Sequence, residues 1–223
     1  MDLAVEALAC RRAGRLVFRD LGFHVGAGEA VALRGPNGVG KSTLLRLLAG
    51  FLRPAGGDAR LDGVSLAREA QGFQERVAYA GHLDAVKPAL GVSENLALWA
   101  ALHGAPEGRM RAALARFGLE HIAGRPAGEC SAGQTRRLGL ARLLLVERPL
   151  WLLDEPTVSL DAESVALVAE LVREHVHRGG LALVATHLDL GLGAIREIRM
   201  TPPAADAAPP EGAAADPFLE GAW

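Results

Sequence analysis

The stretch Gly35-Pro36-Asn37-Gly38-Val39-Gly40-Lys41-Ser42-Thr43 fits the phosphate-binding pattern G-x-x-x-x-G-K-[ST] without a mismatch. The run 29–33, which is apolar from Ala30 onward, leads into it, and 44–49 follows with apolar residues at helical spacing. The loop is therefore predicted to lie where a strand passes into a helix. Glycines let the backbone close around phosphates, and the start of the helix offers unpaired N–H groups. The stretch predicts a nucleotide-binding site, and we reject the alternative of a simple glycine-rich turn.

Two side chains of this loop are predicted to act on the phosphates of the nucleotide. Lys41 supplies a compact positive charge for the β- and γ-phosphates, and Ser42 is the expected Mg²⁺ ligand. The chain has 24 basic residues, of which only Lys41 and Lys87 are lysines. Arginine would not easily replace the compact ammonium group of Lys41.

Composition excludes several classes of function. The chain has 223 residues, half of them hydrophobic, which is enough for one domain with its own core. Its net charge of -2 gives no basic excess for wrapping nucleic acid, so we expect no nucleic-acid partner. Cys10 and Cys130 form no zinc or haem-attachment pattern, and a reducing cytosol fits. No uncharged apolar run reaches the length of a membrane span, so we expect a soluble chain whose membrane role needs partners.

The pattern along the chain predicts a sheet protein with a helical insert. Short strands with tight turns fill residues 3–80, including 16–18 and 21–25 as separate strands. Residues 88–148 are predicted to form a helical subdomain, with Ser93 as an N-cap and a helix over 135–146. Two buried parallel strands, 150–153 and 181–185, flank a crossover helix over 162–178. We expect one domain over 1–200 and a Pro/Ala-rich tail over 201–223 without a packed core.

Two adjacent carboxylates end the first of those buried strands. Ligands of doubly wound sheets bind at this end of the strands, so Asp154 is predicted to join the Mg²⁺ shell. Glu155 is predicted to polarise the attacking water, because hydrolysis of a γ-phosphate needs positioning and a base near the nucleophile. A helix cap before Pro156 is the alternative, which the upstream phosphate loop makes less favoured.

A third segment, Cys130-Ser131-Ala132-Gly133-Gln134, has the capping-box spacing S-x-x-Q before a helix, with Ser131 as the predicted N-cap. A helix N-terminus with a serine hydroxyl and a glycine is also suited to an anionic phosphate. The two interpretations are compatible, because the cap creates the binding geometry.

With these three segments in order, the chain resembles the ATP-binding cassette (ABC) family, whose signature typically has the sequence L-S-G-G-Q. The resemblance covers residues 3–190 and includes Ser159-Leu160-Asp161 and His187. It implies an α/β P-loop NTPase fold with a mixed or parallel sheet core, an N-terminal antiparallel part and a helical subdomain. It also implies an ATPase that uses ATP and Mg²⁺.

What the resemblance further implies is a head-to-tail dimer. The signature segment, defined as Ser131–Gln134, would close over ATP held by Gly35–Thr43 of a second copy. His187 would contact the γ-phosphate and orient the water held by Glu155, although such a histidine is more often structural. Asp161 would work through the dimer interface, and a turn or cap is its alternative role.

Two positions depart from the pattern of the family. His82 stands where most members carry a glutamine that touches Mg²⁺, and we expect it to bind at the ATP and metal site. Arg12 stands where an aromatic residue often stacks on adenine, and its guanidinium plane is expected to stack there instead. Cys130 replaces the leucine of the signature, where we favour a packing role.

Five short segments are similar to the ATPase subunit of the haem exporter used in cytochrome c maturation: 81–82, 86–87, 92–96, 131–137 and 149–156. This implies integral-membrane permease partners, a peripheral location on the cytoplasmic face of the bacterial inner membrane, and no direct contact with haem. The alternatives are an ATPase of another bacterial ABC exporter, of the drug or polysaccharide type, and a soluble ABC ATPase outside transport. The single phosphate loop and short insert disfavour the soluble class. A third class, a regulatory module without turnover, is disfavoured by Glu155.

Overall fold

Two sheets organise the protein in this computed structural model, which describes residues 1–187, 191–193 and 195–202. The strands are β1 (Asp2–Arg12), β2 (Arg15–Gly26), β3 (Ala30–Arg34), β4 (Gly56–Leu61), β5 (Val64–Ser65), β6 (Val77–Ala80), β7 (Leu150–Asp154), β8 (Leu181–Ala185) and β9 (Arg196–Arg199). The helices are α1 (Lys41–Leu48), α2 (Ala70–Gln74), α3 (Val92–His103), α4 (Glu107–Arg116), α5 (Ala132–Ala141) and α6 (Ala162–His177). Short 3-10 helices lie at Glu120–Ile122, Ala127–Glu129 and Arg142–Leu145.

The central sheet is parallel, with the strand order β6-β7-β8-β3-β9. Every residue of β7 and β8 is buried, as the sequence predicts for strands covered on both faces. Because the strands are parallel, the chain leaves β3, β6, β7 and β8 at the same edge. That edge therefore carries the starts of four segments for which the sequence predicts a function.

Alternate residues of β7 pack on opposite faces of the sheet, as the period of a strand requires. Leu150 and Leu152 belong to a cluster with α1 and the antiparallel sheet, whereas Trp151 and Leu153 belong to a cluster with the helical segment. Burying one such leucine contributes about 1.5–3 kcal/mol to folding. The two clusters therefore pack against the two faces of the sheet and support the strands that end at the candidate site.

The second sheet is antiparallel, with the order β2-β1-β4-β5. The prediction of separate strands at 16–18 and 21–25 is wrong, because both belong to β2. Asp20 between them has a φ of 52°, yet pairing with β1 continues on both sides through Cys10–Phe18 and Leu8–Leu21. A local irregularity thus bends the strand without ending it.

Helices fill residues 92–145 and pack on one face of the parallel sheet. The helix predicted over 135–146 begins earlier, at Ala132, and gives way to a 3-10 turn at Arg142. The boundaries predicted for the domain, 1–200, and for its subdomain, 88–148, stay predictions. The predicted tail, 201–223, lies outside the described residues from 203 onward. Among the helices of the described residues, none combines the length and the apolar character that a bilayer span requires.

Candidate functional site

The phosphate loop runs from the end of β3 to the first turn of α1. Gly35 and Gly40 have φ values of 146° and 111°, which side chains rarely allow. A Cβ on Gly35 would lie 2.5 Å from the carbonyl oxygen of Met200, and one on Gly40 would lie 2.7 Å from Cγ1 of Val17. A Cβ on Gly38 would meet no heavy atom within 4 Å. The loop is therefore closely backed by protein at both ends and open at its middle.

Lys41 begins α1 and is buried, with 8% of its surface exposed. Its Nζ donates hydrogen bonds to the carbonyl oxygens of Gly35 at 2.8 Å and Pro36 at 3.2 Å, so the ammonium group lies across the loop. Gly40 caps α1 without a side-chain hydrogen bond, which leaves the first N–H groups of the helix with donor capacity. The ammonium and the helix start together concentrate positive charge where phosphates would bind.

The two residues predicted to hold Mg²⁺ together, Ser42 and Asp154, meet across the sheet edge. The Ser42 hydroxyl donates to Oδ1 of Asp154 at 2.9 Å, and the Tyr79 hydroxyl donates to Oδ2 at 3.5 Å. Burial raises the pKa of Tyr79, so its phenol keeps the proton that it donates. Asp154 is 2% exposed. A hydroxyl and a carboxylate are the hard oxygen donors that Mg²⁺ takes, so the residues fit this metal.

Mg²⁺ in nucleotide sites is usually held by one or two carboxylates together with the phosphates of the substrate. No cluster of three or more His, Cys, Asp or Glu side chains that could hold a metal occurs among the described residues. The Ser42–Asp154 pair therefore suits a metal that is bound together with a nucleotide. The ligand roles stay predictions.

Glu155 and His187 lie close together at the same edge of the sheet, next to the Ser42–Asp154 pair. Oε1 of Glu155 lies 3.5 Å from Nε2 of His187, with side-chain exposures of 24% and 50%. Glu155 has a φ of 46°, a backbone state that costs a non-glycine residue about 1–3 kcal/mol. Its N–H donates to the carbonyl oxygen of Ala185 at 2.8 Å, which ties it to the end of β8. The predicted water-polarising carboxylate is thus partly open to solvent and beside the predicted γ-phosphate contact.

The signature segment forms the capping box that the sequence predicts. The Ser131 hydroxyl accepts from the Gln134 N–H at 3.2 Å, and the Gln134 side-chain oxygen accepts from the Ser131 N–H at 2.9 Å. Ser131 and Ala132 are exposed. A Cβ on Gly133 would lie 3.0 Å from the carbonyl oxygen of Ser159, so the signature packs against the loop after β7. The capping box is confirmed, and the phosphate contact of the signature stays a prediction.

Asp161 caps α6. Its carboxylate accepts a hydrogen bond from the Ser164 N–H at 2.8 Å, and this bond holds the pKa of Asp161 below its usual value. The structure therefore gives Asp161 the cap role that the sequence left open. A role in a dimer interface stays a prediction.

Arg12 and His82 are exposed near the site. Arg12 ends β1 opposite Arg15, in the hairpin whose strand β2 approaches the phosphate loop at Gly40. His82 follows Ala80, which pairs with Leu153 just before the acidic pair. Adenine stacking by Arg12 and metal or ATP contact by His82 stay predictions.

Arg136 is the residue that reasoning from the sequence missed. It is buried in α5 and donates a hydrogen bond to the backbone carbonyl of Glu155 at 2.7 Å. Its helical spacing to Leu140 and Leu143, which are both buried, is the signal that places Arg136 on the inner face of the helix.

Comparison with known proteins identifies the family. The family model of ABC transporters matches residues 18–158. The cytochrome c biogenesis ATP-binding export protein CcmA of Cereibacter sphaeroides is 50% identical over 218 residues, which cover 98% of each chain. The protein of the same name from Paracoccus denitrificans is 52% identical over 190 residues, covering 85% of this chain and 84% of that protein.

Solved structures of ABC transporter subunits have the same fold as this chain. An ATP-binding subunit of an ABC transporter superposes with a TM-score of 0.75 at 29% identity, covering 84% of this chain and 80% of that one. An ABC transporter ATP-binding protein from Pyrococcus furiosus reaches the same TM-score, 0.75, at 24% identity over 90% of this chain and 98% of that one, which shows a shared fold. The predicted fold class is confirmed. The chain therefore belongs to the ABC transporter family, as an ATP-binding and ATP-hydrolysing subunit related to the CcmA proteins.

Proposed function

We propose that this chain hydrolyses ATP to drive the haem exporter of cytochrome c biogenesis. The observation that carries the proposal is the identity of 50% to the CcmA of Cereibacter sphaeroides over 98% of both chains. Such coverage leaves no large segment in which the two proteins could differ in architecture. The chain would act with integral-membrane permease subunits on the cytoplasmic face of the inner membrane.

Binding of the nucleotide is assigned to the loop Gly35–Thr43. Lys41 would move its hydrogen bonds from the loop carbonyls to the β- and γ-phosphates. Ser42 and Asp154 would hold Mg²⁺, with His82 as a further contact. When bound, Mg²⁺ neutralises negative charge on the phosphates. Arg12 would stack on adenine at the end of its hairpin.

The hydrolytic step is assigned to Glu155 and His187. The Glu155 carboxylate, fixed at the end of β7, would accept a proton from the attacking water. His187 would hold the γ-phosphate and keep Glu155 in line through their 3.5 Å contact. In phosphoryl transfer such positioning supplies most of the catalysis.

A head-to-tail pair of chains completes this site. Ser131 and Ala132 are exposed at the start of α5, where a helix N-terminus favours an anion. Val158, 43% exposed, and Asp161 lie in the adjacent loop, so signature and loop share one surface. We infer that this surface covers ATP bound to a second copy.

An exposed apolar surface supports a membrane partner. Phe51 and Leu83 are 67% and 79% exposed and line one groove with Trp99. The Phe51 ring packs edge-on against Tyr79, at 5.5 Å between centroids, and Tyr79 donates to Asp154. A permease segment in this groove would therefore lie two side chains from the predicted metal site. Haem itself would be handled by the permease subunits, with no direct contact to this chain.

Complementation tests the proposal. A bacterium without its own CcmA should regain c-type cytochromes, measured by haem staining, when given this chain or its Glu163→Gln control. The Glu155→Gln variant should restore none. Affinity purification from membranes should also recover cytochrome maturation subunits. Recovery of a drug or polysaccharide permease, or full rescue by Glu155→Gln, would overturn the proposal.

Haem handling is tested separately on the purified chain. When haem is added to the chain, the absorbance spectrum of the haem should stay that of free haem, because no haem contact is expected. Saturable binding by this chain alone would contradict that part of the proposal.

A further inference from the structure

The Arg136 side chain is 5% exposed, yet all of its donors are used. A guanidinium group carries five N–H donors in a rigid plane. The five hydrogen bonds run from Nε to Pro156 O (3.1 Å), from Nη1 to Gly81 O (2.8 Å) and Asp84 Oδ1 (2.7 Å), and from Nη2 to Asp154 O (3.2 Å) and Glu155 O (2.7 Å).

These acceptors belong to two segments of the candidate site. Three are successive backbone carbonyls, 154–156, of the segment that carries the acidic pair. The other two belong to the turn after β6, which also carries His82. That turn is packed tightly on α5, because a Cβ on Gly139 would lie 2.8 Å from Cβ of Asp84. Through the hydrogen bonds of Arg136, α5 therefore holds both segments.

The hydrogen bond from Arg136 to Glu155 holds a residue whose backbone lies in the left-handed region. The N–H of Glu155 is held by the carbonyl of Ala185, and its own carbonyl is held by Arg136. With both peptide groups fixed at a φ of 46°, the direction of the Glu155 side chain toward His187 is set. Loss of the Arg136 bonds would leave three adjacent carbonyls free to turn.

We propose that Arg136 is a positioning residue for ATP hydrolysis, which holds the Glu155 carboxylate in line through the main chain of residues 154–156. This rests on the proposed role of Glu155. Arg136 does not touch ATP in this scheme, so its removal lowers kcat and leaves the affinity of the phosphate loop for ATP without Mg²⁺ nearly unchanged.

Arginine variants of the full-length chain test this. Arg136→Gln should lower kcat on the order of 100-fold, the cost typical of a small misplacement of a catalytic group. Arg136→Lys should lose roughly tenfold, because an ammonium has three donors and no planar fork. ATP affinity, measured by calorimetry without Mg²⁺, should stay within about twofold in both, since their phosphate loops are intact.

Arg137→Gln is the matched control, because it removes the same charge from the same helix. Within the part of the chain that the structure describes, Arg137 makes one side-chain hydrogen bond, to the carbonyl of Phe117 at 3.1 Å, away from the acidic pair. Its kcat should match that of the unaltered chain. Equal losses in the Arg136 and Arg137 variants would overturn the proposal. If Arg136→Gln does not fold, Arg136→Lys carries the test alone, and an unchanged kcat in it would also overturn the proposal.

A double variant distinguishes positioning from general weakening. In a Glu155→Gln background, adding Arg136→Lys should cause no further loss of hydrolysis, because both changes act through one carboxylate. A further tenfold loss would overturn the positioning role while the role of Glu155 stood. Normal turnover in Glu155→Gln alone would instead overturn the role of Glu155, and this inference with it.

Discussion

Nε2 of His187 lies 3.5 Å from Oε1 of Glu155, although the two residues follow different strands. The register of the parallel sheet produces this contact, because Asp154 pairs with Ala185 and the Glu155 N–H bonds to the Ala185 carbonyl. One strand pair therefore positions both groups that we assign to hydrolysis.

Replacement of Glu155 by glutamine should keep the shape of the side chain and remove its basicity. Hydrolysis should fall roughly 100- to 10,000-fold, the usual share of a general base. ATP should still bind, and an ATP-bound dimer should accumulate on size-exclusion chromatography. Glu163→Gln, on the exposed first turn of α6, is the control. Normal turnover in Glu155→Gln would remove Glu155 from its assigned role.

Removal of the His187 imidazole should slow hydrolysis on the order of 100-fold, because Glu155 loses its neighbour and the γ-phosphate loses a contact. The His187→Ala variant is compared with His177→Ala, whose histidine is exposed at the end of α6. Steady-state phosphate release measures both. Equal rates for the two variants would mean that His187 is only structural.

The two lysines of the chain form a natural pair for testing the phosphate site. Lys41→Ala should weaken ATP binding roughly 100-fold, or about 2.7 kcal/mol, through loss of charged hydrogen bonds to phosphates. Lys87→Ala should bind normally, because Lys87 is exposed and its backbone makes its bonds to Asn95. Calorimetric titration with ATP measures both affinities. Unchanged binding by Lys41→Ala would show that this loop is not the phosphate site.

The magnesium requirement should depend on the Ser42 hydroxyl. Ser42→Ala should raise the Mg²⁺ concentration for half-maximal hydrolysis at least roughly tenfold, whereas Ser42→Thr should keep it. Ser93→Ala, in the first turn of α3, is the control. Mg²⁺ titrations at saturating ATP give the three values. The metal assignment fails if Ser42→Ala and the control coincide.

Asp161 should make the free energy of unfolding depend on pH. Hydrogen bonds from Ser164 lower the pKa of Asp161, so its charged form stabilises the fold above the usual carboxyl pKa, and this contribution is lost as pH falls through the lowered value. Urea unfolding over a pH series should show Asp161→Ala converging on the unaltered chain in acid. A constant difference in the free energy of unfolding would contradict this.

A second substitution at the same position separates the cap from the proposed interface. Asp161→Asn keeps a good N-cap but removes the charge. If Asp161 acts between two copies, this variant should stay as stable as the unaltered chain at neutral pH and hydrolyse ATP more slowly. Full activity would leave Asp161 with its cap role only.

Local signals account for what could be predicted from the sequence and for where the prediction failed. The Ser131 cap follows from the spacing to Gln134. The prediction of a cap at Ser93, made only because a serine stands where the helical pattern begins, is wrong, because the N-cap of α3 is Gly91. There the Glu94 carboxylate accepts the Gly91 N–H at 2.7 Å, so the closing bond comes from a side chain further along the helix.

The sequence by itself determined the phosphate loop, the acidic pair at the end of a buried strand and the capped signature helix, because each depends on residues a few positions apart. Only the tertiary structure decided the direct contacts, which are the Ser42 hydroxyl on Asp154, His187 beside Glu155, and Arg136 on the backbone carbonyls of the acidic pair. Parallel pairing sets the first two contacts, and burial of one helix face sets the third. Residues that are neighbours in the sequence determine neither the register of a sheet nor the five partners of a buried guanidinium group.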